Sequence, residues 1–133
     1  MNEQNNNTGT ELLFLLRQQR YLYHQLKLLA ERQRDTADSS SAEVVLDIVS
    51  GRRKLVEKLR EIGQKLAAIR ASWPSVAEKI DTEDKLEARK TAGQIREIVD
   101  QIAMTAGPES VAALPLAEGR KFNELFTAGD LKN

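Results

Sequence analysis

Three observations predict an all-α fold: a long antiparallel helical hairpin joined by a third helix into a three-helix, coiled-coil-like bundle, with a partly ordered C-terminal tail. Apolar residues recur at helical steps in three separate stretches of the chain. Leu, Ala, Glu, Lys, Arg and Gln, all good helix formers, dominate the composition. Strand signals are weak, with three Phe, two Tyr and one Trp and little alternation of period two. A chain of 133 residues suits one domain that buries one modest core.

The first nine residues, MNEQNNNTG, are Asn-rich and read as a disordered lead (1–9). Thr8 and Glu11 then stand at capping-box spacing, which predicts a helix over 10–35. Its stripe reads Leu12, Leu15, Gln19, Leu22, Leu26 and Leu29, broadened by Leu13, Leu16 and Tyr23. The connector DTADSSSA, residues 35–42, is polar and short and closes with Ser40 and Glu43, again at capping-box spacing. So short a link makes the helices on either side antiparallel neighbours.

The second helix, predicted over 42–70, carries the most regular seam and reads as the element that organises the rest. Leu55, Leu59, Ile62, Leu66 and Ile69 follow steps of four, three, four and three, and the register extends back to Ile48 and Val45. One seam position falls on Arg52, a charge where an aliphatic residue is expected. On the outer face Lys54 with Glu57, and Glu61 with Lys65, are spaced to pair, each pair contributing about 0.2–0.5 kcal/mol. A helix of roughly 43 Å with one apolar side must bury that side against other long helices.

Ser72-Trp73-Pro74-Ser75 ends this helix near Arg70, since proline cannot continue it and disfavours helical geometry at Trp73. Ser75 and Glu78 offer a further start, the segment 81–84 is sparse in apolar residues, and the firm part of the third helix begins near Leu86. There Ala88, Ala92, Ile95, Val99 and Ile102, joined by Ile98, repeat the seam up to about Thr105, and Gly107-Pro108 stops it. The bundle thus spans 10–106, followed by a mobile, apolar-containing tail over 107–133 with short helical turns near 109–114 and 117–127.

Charge and chemistry narrow the function classes. Lys+Arg and Asp+Glu balance at 20 each, so no overall basic field attracts nucleic acid or an anionic membrane. There is no cysteine for disulfides or thiolate chemistry, and the single His24 has Tyr21 three residues before it instead of the Glu that a di-iron bundle motif uses. His24 reads as a surface or rim residue. The acidic run Glu78, Asp81, Glu83, Asp84 and Glu87 is interleaved with Lys79 and Lys85 and reads as a solvated face. Arg52-Arg53-Lys54 invites comparison with small helical enzymes of the chorismate-mutase kind, which clamp carboxylates with cations, but the order and spacing of that family's groups are not reproduced. Neither a Gly-rich phosphate loop nor a nucleophile elbow is present. No catalytic site, cofactor or metal is expected. The longest apolar run, 12–16, is too short for a membrane span or signal-peptide core, and a cytoplasmic location is expected.

Two apolar features remain. Trp73 beside Pro74 reads as a cap packed over the end of the hairpin. In the tail, Phe122 and Phe126 share one helical face with Leu125 beside them. Together with Leu114 and Leu116 they are the candidate partner-binding residues, with docking onto the chain's own bundle standing equally open.

The leucine-rich first helix, ELLFLLRQQRYLYHQLKLLAERQR, and the basic and leucine pattern GRRKLVEKLREIGQKL in the second give the chain a layout that resembles the FlgN-like flagellar export chaperones over about 10–105. The resemblance implies a non-enzymatic cytoplasmic chaperone of type III export. It would hold the C-terminal helical segment of hook-associated, filament-junction proteins, prevent premature assembly and deliver this cargo to the export gate, and by the same resemblance the tail would touch that gate. Physically that is helix-in-groove recognition. The alternative is a structural coiled-coil scaffold, a homo-oligomer whose seam is satisfied by its own copies.

Overall fold

The computed structural model describes residues 2–37 and 41–112, with side chains placed over 8–37 and 41–111. It consists of α1 (Asn2–Asp35), α2 (Ala42–Ala71), α3 (Trp73–Lys79), α4 (Thr82–Ala106) and α5 (Pro108–Ala112). No strand occurs among the described residues, and the fold is an all-α bundle of three long helices with two short ones at its ends.

Helix directions follow from pairs of neighbours. Gly9 of α1 lies against Asp84 near the start of α4, and Arg20, further along α1, donates to the Gln94 side-chain carbonyl, further along α4. The two helices therefore run parallel. Leu29, late in α1, lies beside Gly51, early in α2, and Arg52 of α2 donates to the Ser110 carbonyl beyond the end of α4. Hence α2 runs antiparallel to both, an up-down-up bundle.

The organising element is α1, not α2. It packs against both other long helices, most extensively against α4, while the backbones of α2 and α4 scarcely approach each other. The reason lies in the width of its apolar arc: Leu12, Leu13, Leu15, Leu16, Leu22, Tyr23 and Leu26 are all buried, which is enough to face two neighbours at once. The seam of α2, with Leu59, Ile62 and Leu66 buried and Leu55 and Ile69 partly so, is narrower. Small side chains on α4, Ala88, Thr91 and Ala92, let it come close to α1. At the same interface Gly9 faces the Asp84 carboxylate, the far end of a flexible side chain, which a Cβ there would meet at 2.7 Å.

Several boundaries differ from the sequence-based expectation. Helix α1 begins at Asn2, so Thr8 lies within it and is no N-cap. The cap of α2 is Ser41, whose side chain accepts from the Val44 N–H at 3.3 Å; Ser40 lies outside the described residues. The Trp-Pro break does not open a loop. Pro74 sits in the first turn of α3, where its missing N–H is one of the unbonded donors in any case, and α3 starts at Trp73 with Ser72 before it, not at Ser75.

Helix α4 starts at Thr82 instead of Leu86 because Asp81 caps it: the carboxylate accepts from the Asp84 N–H at 2.9 Å. Glu83 and Asp84 in the first turn add negative charge where the helix dipole favours it. The acidic run therefore starts a helix. Gly107 ends α4 as expected, with φ +94° and its N–H bonded to the Ala103 carbonyl at 2.9 Å, and α5 covers part of the turn predicted near 109–114.

Trp73 is 4% exposed and joins Ala77 and Ile80 in sealing one end of the core. That bears out its reading as a cap. Each fully buried Leu stabilises by about 1.5–3 kcal/mol, several times the worth of a surface ion pair. The two pairs expected on the outer face of α2, Lys54 with Glu57 and Glu61 with Lys65, are not formed among the described residues; Lys27 and Glu31 of α1 stand 3.9 Å apart.

Candidate functional site

Among the described residues the chemistry-bearing side chains do not converge. Arg52 takes the seam position because its guanidinium reaches across to the Ser110 carbonyl at 2.8 Å, which ties α5 to α2. Successive helical residues point about 100° apart, so Arg53 and Lys54 turn away from Arg52, and both are exposed. His24 is exposed on α1. Among the described residues no group of three or more His, Cys, Asp or Glu side chains is placed to hold a metal ion. No helix of the described residues is long and apolar enough to cross a membrane.

The core contains one polar anomaly. Gln19, in the α1 seam, is fully buried, and neither its amide nitrogen nor its carbonyl oxygen has a hydrogen-bond partner among the described residues. Such burial costs about 1–3 kcal/mol. Tyr23, one turn on, is 1% exposed, and burial pushes its hydroxyl above the usual tyrosine range.

Among the described residues two groups of exposed apolar side chains stand together, apart from the separate Leu86 and Met104, and these are the candidate sites. The first is a stripe on α1: Phe14, Tyr21 and Leu28, at 58%, 60% and 45% exposure, follow one another at steps of seven. The residues that meet the neighbours, Arg20 toward α4 and Leu29 toward α2, flank it on either side, so the stripe faces away from both. Sequence reasoning missed it although the signal was there. Phe14-x6-Tyr21-x6-Leu28 is a second heptad register running between the core positions, and the denser core pattern hid it.

The second surface lies where α1 ends and α2 begins. A half-open cleft of about 250 Å3 is lined by Gln33, Thr36 and Ala37 from the α1 end and Val45, Ile48 and Val49 from α2. Ile48 is buried, whereas Val45 and Val49 are each 47% exposed. The register predicted a buried Val45. Val45 instead stands at the rim of this cleft.

The candidate partner-binding residues Leu114, Leu116, Phe122, Leu125 and Phe126 all lie outside the described residues. Val111, just before them, packs against the core. No family model, curated protein or solved structure matches this chain.

Proposed function

We propose that the protein is a cytoplasmic export chaperone that holds an amphipathic helix of a hook-associated flagellar protein until secretion, and that its tail contributes to delivery at the export gate. The observation that supports this reading is the Phe14, Tyr21 and Leu28 stripe. An unpartnered heptad stripe on the outer face of a long helix is the surface that an incoming amphipathic helix matches at its own i and i+7 positions. The balanced charge fits a partner recognised by apolar contact more than by a long-range field.

The test is a titration of the purified full chain with the C-terminal helical segment of a hook-associated protein, read by calorimetry. Saturable binding with a negative heat-capacity change is expected. Tyr21→Glu should weaken it at least tenfold, while unfolding free energy stays within about 0.5 kcal/mol because the side chain is exposed. Absence of binding, with the chain forming a stable oligomer on its own through the same stripe, would overturn the chaperone reading and establish the scaffold.

A further inference from the structure

The outer stripe of α1 is flanked by two edges of different charge. From Leu12 to Ala30 the chain carries Arg17, Arg20 and Lys27 and no Asp or Glu, although the whole chain balances at 20 of each sign. Successive residues turn by about 100°, which sets all three cations on the flank of Phe14, Tyr21 and Leu28 that faces α4, where Arg20 meets Gln94. The flank toward α2, where Leu29 meets Gly51, carries Gln18 and Gln25 instead. Arg17 is exposed and lies nearest the stripe. Arg20 bonds a neutral amide and not a carboxylate, and Lys27 shares its charge with Glu31, 3.9 Å away. Helix α4 brings Lys90, Glu87 and Glu97 to its own side of this edge, at helical steps from Gln94. Among the described residues neither carboxylate pairs with Arg17 or Arg20.

We propose that the stripe takes an acidic amphipathic helix, with apolar side chains at steps of seven against Phe14, Tyr21 and Leu28, and Asp or Glu along the one edge that lies over Arg17, Arg20 and Lys27. This names the chemistry of the partner and rests on the reading of the stripe as a face for a helical cargo. From Phe14 to Leu28 the stripe runs about 21 Å, the length of two to three heptads of a docked helix. A second copy of the chain fits less well. Three side chains about half exposed offer on the order of 300 Å2, well under the roughly 800 Å2 per partner of a standard interface. That area suits a weak, reversible hold on a single helix. An antiparallel copy would also set the basic edge against itself, and a parallel copy would set it against Gln18 and Gln25. Neither supplies a carboxylate. Exposed ion pairs are individually weak, so two or three together give about a tenfold preference, which salt screens.

The experiment titrates the purified full chain with three synthetic helical peptides of three heptads, alike in their apolar stripe and carrying Glu, Gln or Lys along one edge, and reads the affinities by calorimetry. At about 0.02 M salt the Glu peptide should bind about tenfold more tightly than the Gln peptide, and the Lys peptide more weakly than either; at about 0.5 M the three should agree within about threefold. Arg17→Glu should remove the preference for Glu, whereas Tyr21→Ser should weaken all three peptides by about tenfold. Both side chains are exposed, and the salt series on the unaltered protein decides without either variant. Equal affinities at low salt, a preference for Lys, or no binding of any peptide overturns the proposal. So does a preference that survives Arg17→Glu unchanged. Self-association of the chain at low salt that Tyr21→Ser abolishes overturns it in favour of a second copy. A preference for the Glu peptide with no binding of a hook-associated segment refutes the chaperone reading alone, and binding of that segment with no preference among the peptides refutes this proposal alone.

Discussion

The two ends of the bundle meet the same problem, how to finish a three-helix core, with different residues. At the lower end the chain itself closes the core. Pro74 turns α2 into α3, and Trp73, Ala77 and Ile80, all buried, fill the space before Asp81 starts α4. At the upper end Gly107 stops α4, and on α2 Val45, Leu46 and Val49 stand at 47%, 67% and 47% exposure although Ile48 between them is buried. The contrast teaches that periodicity places a residue on a seam without showing whether the seam is covered at that height: Trp73, Ala77 and Ile80 close one end, whereas Val45 and Val49 keep the register at the other and stay half exposed.

The largest effect should separate these ends. Trp73→Ala, which empties a sealed site, is expected to cost about 3–5 kcal/mol of unfolding free energy. Leu46→Ala, at a side chain already mostly in water, should stay within about 0.5 kcal/mol. Urea titration of both variants measures the difference directly. Comparable costs would mean that the upper end is as closed as the lower one, and the contrast would fail.

How much of this was legible beforehand depends on which kind of residue carried the feature. The α4 seam from Ala88 to Ile102 and the α2 seam from Leu55 to Ile69 were readable because strong apolar residues recur at helical steps and their environment agrees. Which helix lies at the centre was not, because it depends on the width of an arc, and the arc of α1 is widened by positions such as Leu13 that a single seam leaves out. Helix starts were misplaced where capping residues competed: Ser41 meets the Val44 N–H, and Asp81 and not Ser75 opens the long third helix. Arg52 looked like a flaw in the seam because its partner, a backbone carbonyl at Ser110, has no signature in the sequence. The α1 stripe was legible but overshadowed, and the tail residues named for partner binding lie outside what the structure describes.

Gly107 sharpens the contrast at intermediate magnitude. Its φ of +94° and ψ of 153° lie where L side chains are strained, a conformation costing about 1–3 kcal/mol for a residue with a Cβ. A Cβ there would also stand 3.0 Å from the Glu109 carboxylate. That carboxylate is the far end of a flexible side chain, so the backbone decides the cost. Gly107→Ala is therefore expected to destabilise by about 1–3 kcal/mol in the same urea titration. A change below about 0.5 kcal/mol would show that the chain turns after Ala106 without strain, and that the place where α4 stops is not fixed by this glycine.

The smallest expected difference isolates helix starts from packing. Ser41 caps α2 at the upper end through a 3.3 Å bond to the Val44 N–H, and Asp81 caps α4 at the lower end through a 2.9 Å bond to the Asp84 N–H. Both exchange one unbonded donor for a side-chain acceptor, an effect of about 0.5–2 kcal/mol on substitution by Ala. The Asp81 carboxylate adds a charge that the helix N-terminus favours, and its bond is the shorter. Asp81→Ala should thus cost about 1–2 kcal/mol and Ser41→Ala about 0.5–1. In the double variant the two should add to within about 0.5 kcal/mol, as they do for separated sites. A larger cost at Ser41, or a clear departure from additivity, would mean that the start of α2 is coupled to more of the structure than its exposed valines suggest, and would place stability at the upper end.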